Sequence, residues 1–550
     1  MISLVNITIN GKKYQVSDGI TILEAIKEVG LYVPTLCNFE GLSNTGACRI
    51  CVVEVEGFRN LVPSCATPVS DGMVIWTDTP RVQYARRMVL EMIASEHKFD
   101  CQNCPRNGNC ELQKIAFSLN VDYVSLEHNV RNKGIDTTNK AIIIDFDRCI
   151  ICGRCIRACS EIQTVYAIDY AFRGYNTLVT TPFNEGLGNS NCVSCGLCTL
   201  VCPVAAIQER TSFQEVKNDM DNKFDIVSII DPLTQLYIGE EFGFSSGKAI
   251  KNINKFLKSI GLKKIIKSYD GLNISIIGEA KELMNILNSN EVLISAQCPA
   301  VLDFIKKFFP EKIEMLSKIR NSHIISASLI REGLLKNLKN IRKEKLRILS
   351  ISPCLALKNE IWKPYYKGEI LNYVISIREL ASIAKLKNYQ DFEILELKDF
   401  KTFPSILDAI SGGRAYLVIK TLLEILGKEV DEKLLETLCN INEVKSTSIK
   451  INGSKLNIMV ANTLGACRKI LEEIDNFSPA YIELRACPNG CIGGGGQPIP
   501  SLKENRKIRI ENILKLYENI NKKSIWKTRY SKILYKNAYE KDIIMIKGEY

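Results

Sequence analysis

Cys149, Cys152, Cys155 and Cys159 are spaced C-x2-C-x2-C-x3-C, and Cys192, Cys195, Cys198 and Cys202 repeat that run, with Pro203 next. Thiolate sulfur is a soft ligand suited to iron–sulfur clusters. In paired runs of this type the fourth cysteine of each ligates the other run's cluster. One [4Fe–4S] cluster is therefore expected on Cys149, Cys152, Cys155 and Cys202. A second is expected on Cys192, Cys195, Cys198 and Cys159. Crossed ligation keeps the two clusters close enough for fast electron transfer. Ser160 stands after the first run, where a proline would be usual.

Two more groups precede these. Cys37, Cys48, Cys51 and Cys65 are spaced C-x10-C-x2-C-x13-C, with Gly41, Gly46 and Ala47 in the loop. Four thiolates hold one [2Fe–2S] cluster, and small loop residues let the backbone approach the sulfides. His97, Cys101, Cys104 and Cys110 follow as H-x3-C-x2-C-x5-C. One imidazole and three thiolates suit a third accessory [4Fe–4S] cluster. Zinc is the alternative occupant of both groups. A last set is dispersed: Cys298 in Ser295-Ala296-Gln297-Cys298-Pro299, Cys354 in Ser352-Pro353-Cys354, and Cys487 and Cys491 in Ala486-Cys487-Pro488-Asn489-Gly490-Cys491. Gly493–Gly496 follow at once, and four glycines allow close backbone approach to something bulky. The bland reading of this set is core cysteines beside a glycine-rich turn. Cys439 and Cys467 lack such contexts and read as core.

These groups need elements to hold them. Residues 3–9 and 13–16 alternate around Asn10-Gly11, which predicts a hairpin. A helix over 21–26 and short strands near 50–56 and 73–77 complete an α+β ferredoxin-like unit. A helix is predicted over 81–96 and a cysteine-dense loop over 97–110. The two similar runs within 140–205 form an internal repeat. From about residue 224, strand-like runs (225–230, 291–296, 347–351) alternate with Lys- and Glu-bearing helices, predicting α/β with mostly parallel sheets. Cys298 and Cys354 each follow such a run, where ligands of α/β sites sit. The tail after about 500 is helical and basic. The domains expected are 1–80 for [2Fe–2S], 81–125 for the His/Cys3 cluster, 126–210 for two [4Fe–4S] clusters, and 211–550 for a large α/β catalytic domain.

Composition narrows the class. The 21 cysteines in a long chain without a secretory leader favour metal binding in the cytoplasm over disulfides. No apolar run is long enough to span a membrane. The formal charge of +11 counts every cysteine as neutral, and its Lys and Arg are spread out rather than interleaved with aromatics, so nucleic acid is not expected.

Together these motifs resemble the multi-cluster [FeFe] hydrogenases of anaerobic bacteria, over nearly the whole chain. The segment Ile238-Gly239-Glu240-Glu241-Phe242-Gly243 and the run from Ala486 to Pro498 are the most specific parts of the likeness. The resemblance implies that Cys298, Cys354, Cys487 and Cys491 hold the [4Fe–4S] part of an H-cluster. Cys491 would bridge to a diiron unit with CO, cyanide and a dithiolate. It also implies reversible reduction of protons to H2, maturation proteins that supply the diiron unit, and a ferredoxin as electron partner. Glu279, Glu282 and Ser317 fall at the family's proton-relay positions.

Several positions depart from the family pattern. Gln297 replaces the proton-relaying cysteine, and an amide does not titrate near neutral pH. Ser352 and Arg485 stand where methionines are usual. Leu357 takes the place of a cyanide-contacting lysine, with Lys358 one residue on. His323 stands where a Gln-Gln pair is common. The expectation is an assembled H-cluster with altered proton delivery and redox tuning. Rival readings are an H2-sensing regulator, an electron-transfer subunit like that of respiratory complex I, and an iron–sulfur assembly protein.

Overall fold

The computed structural model describes residues 3–121, 124–127, 130, 132–287, 289, 291–335, 341–520 and 524–546. The N-terminal hairpin pairs Leu4–Ile9 with Lys12–Ser17. Asn10 (φ 50°) and Gly11 (φ 80°) make its turn, both left-handed as a two-residue hairpin requires. Ile7, Ile9 and Val16 bury against the helix Ile22–Glu28. Thr21 caps that helix and Glu24 reaches back to the Thr21 backbone, a reciprocal cap that fixes where the helix starts. The five-stranded sheet runs Lys12–Ser17, Leu4–Ile9, Val74–Trp76, Val52–Val55, Val62–Pro63. The helix Pro80–Ser95 is tied to it by buried Arg86, which donates to the Val52 carbonyl at 2.8 Å.

The two cysteine runs fold alike. Gly153 (φ 69°) and Gly196 (φ 78°) each turn left-handed just before a short helix, Arg154–Arg157 and Leu197–Val201. Strands Ile142–Asp145 and Ile207–Glu209 pair antiparallel beside them.

Beyond residue 224 two four-stranded sheets form. The first orders Lys264–Lys267, Asp225–Ile230, Leu346–Ile351, Tyr373–Ile375, all parallel. The second orders Val292–Ile294, Ala480–Arg485, Ser454–Asn462, Val444–Ile451, with only the last pair antiparallel. The near-continuous burial of Ile226–Ile230 and Ala480–Arg485 is what parallel strands covered on both faces require. The tail helices Lys503–Glu518 and Arg529–Glu540 pack back on this domain. Buried Arg509 ion-pairs with Glu240, so the 238–243 segment is pinned by the tail. Among the described residues, no helix is long and apolar enough to cross a membrane.

Candidate metal centre

The carboxyl ends of both parallel sheets open on one cavity. Asp231 follows strand Asp225–Ile230, Ser352–Cys354 follow Leu346–Ile351, Gln297 and Cys298 follow Val292–Ile294, and Arg485 and Cys487 close Ala480–Arg485. Ligand sites of open α/β sheets form at such strand ends. Cys298, Cys354, Cys487 and Cys491 all line this cavity, whose volume is about 80 Å³. Cys298 is the N-cap of helix Pro299–Phe308, whose first residue is the proline that position favours. The positive end of that helix therefore points at the sulfurs and favours an anionic occupant.

The donor set fits an iron–sulfur group. Burial pushes the Cys491 thiol up to about 12, against the pull of nearby Arg485. Burial, with Cys298, Cys354 and Cys491 adding to it, also raises Cys487. Four partly buried sulfurs gathered on one cavity suit iron cations, which stabilise them as thiolates.

Arg485 reaches this cavity, held on three sides. Its Nε donates to Glu483 at 2.9 Å and one Nη to Asp408 at 2.8 Å. The other Nη lies 3.8 Å from Cys491 Sγ. Glu483 is itself fixed by accepting from the Gly412 and Ala415 backbone at the start of helix Gly413–Ile425. Asp408 also pairs with Arg414 at 2.9 Å. Burial pushes the Asp408 carboxyl up, but Arg414 and Arg485 outweigh it and hold it below the usual carboxylate range.

Lys358 does not join them. Its ammonium is buried between Glu379 and the Arg210 carbonyl, each at 2.6 Å, and Leu357 lines the cavity instead. Lys358, one place after the position where the family has its lysine, is turned away from the cavity. One residue is about 100° around a helix, enough to turn the side chain away. The glycine run packs closely on backbone. A Cβ on Gly494 or Gly496 would meet the Pro353 carbonyl at 2.9 Å, and one on Gly495 would meet Gly196 Cα at 2.8 Å. The run makes room for the chain's own backbone.

Gln297 lines the cavity, and its amide is engaged by backbone. Its Nε2 donates to the Ile319 and Arg320 carbonyls at 3.3 and 3.0 Å, and its Oε1 accepts from Ser322 N at 3.0 Å. Glu279 is fully buried. Ser295 and Tyr481 donate to it at 2.9 and 2.7 Å, and Arg414 pairs with it at 3.6 Å. Ser317 donates to Glu282 at 2.5 Å. Burial pushes the Glu282 carboxyl up to about 7. His323 lines the cavity, with Nδ1 2.9 Å from Ser350 Oγ and Nε2 3.5 Å from Asp231.

The other cysteines gather as the spacings group them. Cys149, Cys152, Cys155 and Cys202 line one small cavity. Cys159, Cys192, Cys195 and Cys198 line a second. His97, Cys101, Cys104 and Cys110 line a third. Cys37 contacts both Cys48 and Cys65, and Cys51 contacts Cys65. Among the described residues, no three His, Cys, Asp or Glu side chains converge as a site for a single metal ion. Cys439 and Cys467 are buried and line none of these cavities.

Sequence reasoning missed Asp231, Asp408, Arg414 and Glu483. Only Asp231 carried a local signal, an acidic N-cap before Pro232 at the end of a strand-like run.

Residues 225–495 match the family described as iron only hydrogenase large subunit, C-terminal domain. Residues 3–80 match a 2Fe-2S iron-sulfur cluster binding domain and 148–206 a 4Fe-4S dicluster domain. Residues 86–125 match the NADH-ubiquinone oxidoreductase-G iron-sulfur binding region. The chain is 33% identical to the NADP-reducing hydrogenase subunit HndD of Solidesulfovibrio fructosivorans, covering 90% of this chain and 89% of that one. It is 25% identical to iron hydrogenase 1 of Clostridium pasteurianum, covering 92% and 91%. An apo [FeFe]-hydrogenase from Chlamydomonas reinhardtii shares the fold at a TM-score of 0.52 and 18% identity, over 61% of this chain and 98% of that one.

Proposed function

The chain belongs to the iron-only hydrogenase family, and from that footing we propose that it catalyses the reversible conversion of two protons and two electrons to H2. The observation that carries this reading is the meeting of Cys298, Cys354, Cys487 and Cys491 on one cavity at the ends of two parallel sheets. An H-cluster, when bound, supplies the hydrogen chemistry. Cys298, Cys354, Cys487 and Cys491 would hold its [4Fe–4S] part. Arg485, fixed by Glu483 and Asp408, holds positive charge beside Cys491 and so favours the reduced, more anionic state.

Electrons travel through one [2Fe–2S] and three accessory [4Fe–4S] clusters. The [2Fe–2S] ligands are Cys37, Cys48, Cys51 and Cys65. The accessory [4Fe–4S] ligands are His97 with Cys101, Cys104 and Cys110, and the two crossed sets above. The packing of Gly196 on Gly495 supports the set containing Cys195 and Cys198 as the last step before the cavity. A ferredoxin is the electron partner, and hydrogenase maturation proteins supply the diiron unit, in the cytoplasm. The likeness to a subunit of an NADP-reducing hydrogenase favours a second partner, a nicotinamide-linked subunit.

An infrared spectrum of the anaerobically matured protein, under N2 and then H2, tests the reading. CO and cyanide stretches that shift under H2 are expected. Their absence, with the [4Fe–4S] signals intact and maturation proven on a control enzyme, would leave the electron-transfer or assembly reading. Shifting bands with very slow turnover would instead favour an H2 sensor.

A further inference from the structure

With an amide at position 297, the cavity needs another group to deliver protons. Apart from the four cysteines, its charged or titratable lining residues are Asp231, His323, Asp408 and Arg485. Arg485 does not release its proton. Asp408 is locked as a carboxylate between two guanidinium groups. Glu279, outside the lining, is committed to Arg414, Tyr481 and Ser295. That leaves His323 and Asp231.

We propose that His323, oriented by Ser350 and Asp231, is the acid–base residue of this cavity, replacing delivery through position 297. The assignment rests on the hydrogenase reading above. The geometry suits the role. Asn321 fixes the turn carrying the ring: its side chain accepts from His323 N at 2.9 Å and donates to the Gln297 carbonyl at 2.7 Å. Ser350, on strand Leu346–Ile351, engages Nδ1 at 2.9 Å. Asp231, at the end of strand Asp225–Ile230, stands 3.5 Å from Nε2. A hydroxyl on one nitrogen and a carboxylate facing the other orient the ring and stabilise it when cationic, as in other acid–base sites. The helix Tyr269–Ile286 packs on this turn through Gly271, whose Cβ would meet the Ser322 carbonyl at 2.3 Å, with Asp270 as the neighbouring charge on that helix. Asp408 and Arg485 are the remaining charges on the cavity wall, and both are held in one ionic network with Arg414 and Glu483. In the direction of H2 formation the imidazolium would release a proton into the cavity and take another from solvent. Two such transfers and two electrons balance one H2.

The test uses the matured enzyme and two variants, His323→Gln and Asp231→Asn. Wild type and both variants are expected to show the same set of CO and cyanide bands. H323Q should lose about 10²-fold or more in H2 evolution and the ionisation limb of the pH–rate profile. D231N, which removes the carboxylate facing Nε2, should keep that limb and lose less rate than H323Q. In the chain carrying iron–sulfur clusters alone, ¹⁵N-imidazole signals assigned by H323Q should move with pH between 5 and 9. A full rate and unchanged pH profile in H323Q, or a His323 signal that does not titrate, would overturn the assignment while leaving the hydrogenase reading intact. An H323Q enzyme that has lost its bands overturns it as well, for it makes the ring structural. If wild type itself shows no bands, the hydrogenase reading falls and this assignment with it.

Discussion

Gly196 and Gly495 approach so closely that a Cβ on Gly495 would stand 2.8 Å from the Gly196 Cα. One glycine precedes the helix of the second cysteine run and the other follows Cys491, so their contact joins two cysteine-lined cavities. Thr199 donates to the Gly495 carbonyl at 3.1 Å and Gln163 to the Ala486 carbonyl at 2.9 Å, fastening the same junction. Gly495→Ala must push the backbones apart, with overpacking costing about 1–3 kcal/mol. The expected result is a lower thermal midpoint and slower reoxidation of the reduced clusters by protons, at unchanged iron content. Stopped-flow spectroscopy reads the second effect, and an unchanged rate would refute the junction's role.

Arg485 carries two buried carboxylates, Glu483 and Asp408. Arg485→Met leaves Asp408 to Arg414 and Glu483 to its two backbone donors, and removing one partner of a buried ionic network costs up to about 3–5 kcal/mol. Arg485→Lys, which keeps the charge but not the fork, should cost less. Urea midpoints of the two variants measure the difference. In the same proteins the midpoint potential of the [4Fe–4S] cluster nearest Cys491 should fall for R485M more than for R485K. Equal potentials in all three would remove the guanidinium from redox tuning.

Glu282 provides a pH test. Burial raises its carboxyl to about 7, from 4.5. The folded state therefore binds a proton that the unfolded state has lost across that interval, and stability from this group falls as pH rises from about 4.5 through 7. Glu282→Gln removes the dependence. Relative to wild type, the variant should gain about 1–3 kcal/mol between pH 5 and pH 8. Denaturant midpoints at the two pH values give the answer, and a constant difference would contradict the assigned shift.

Crossed ligation can be separated from simple ligation. Cys202→Ser should disturb the cluster shared with Cys149, Cys152 and Cys155. Cys159→Ser should disturb the one shared with Cys192, Cys195 and Cys198. Only C159S should alter the magnetic coupling to the cluster beside Cys487, read by electron paramagnetic resonance of the reduced protein. The reverse pattern would uncross the sets.

The accessory cysteine groups were legible because each run lies within one or two loops, where spacing alone fixes which sulfurs can meet. The hairpin at Asn10-Gly11 and the parallel runs at 225–230 and 347–351 were legible for a similar reason: turn chemistry and apolar runs are local signals. The dispersed cysteines could be named by their flanking residues, but not brought together without the two sheets. Lys358 shows the limit. It follows Leu357 by one place in sequence, yet the phase of a helix turned it to Glu379. The wall of the cavity was decided by tertiary structure alone. Asp231, His323, Asp408 and Arg485 lie on four separate segments, and each acquires its role from a partner far along the chain. A charge becomes a counter-ion, a clamp or a proton carrier only when folding fixes its neighbours and removes the water between them.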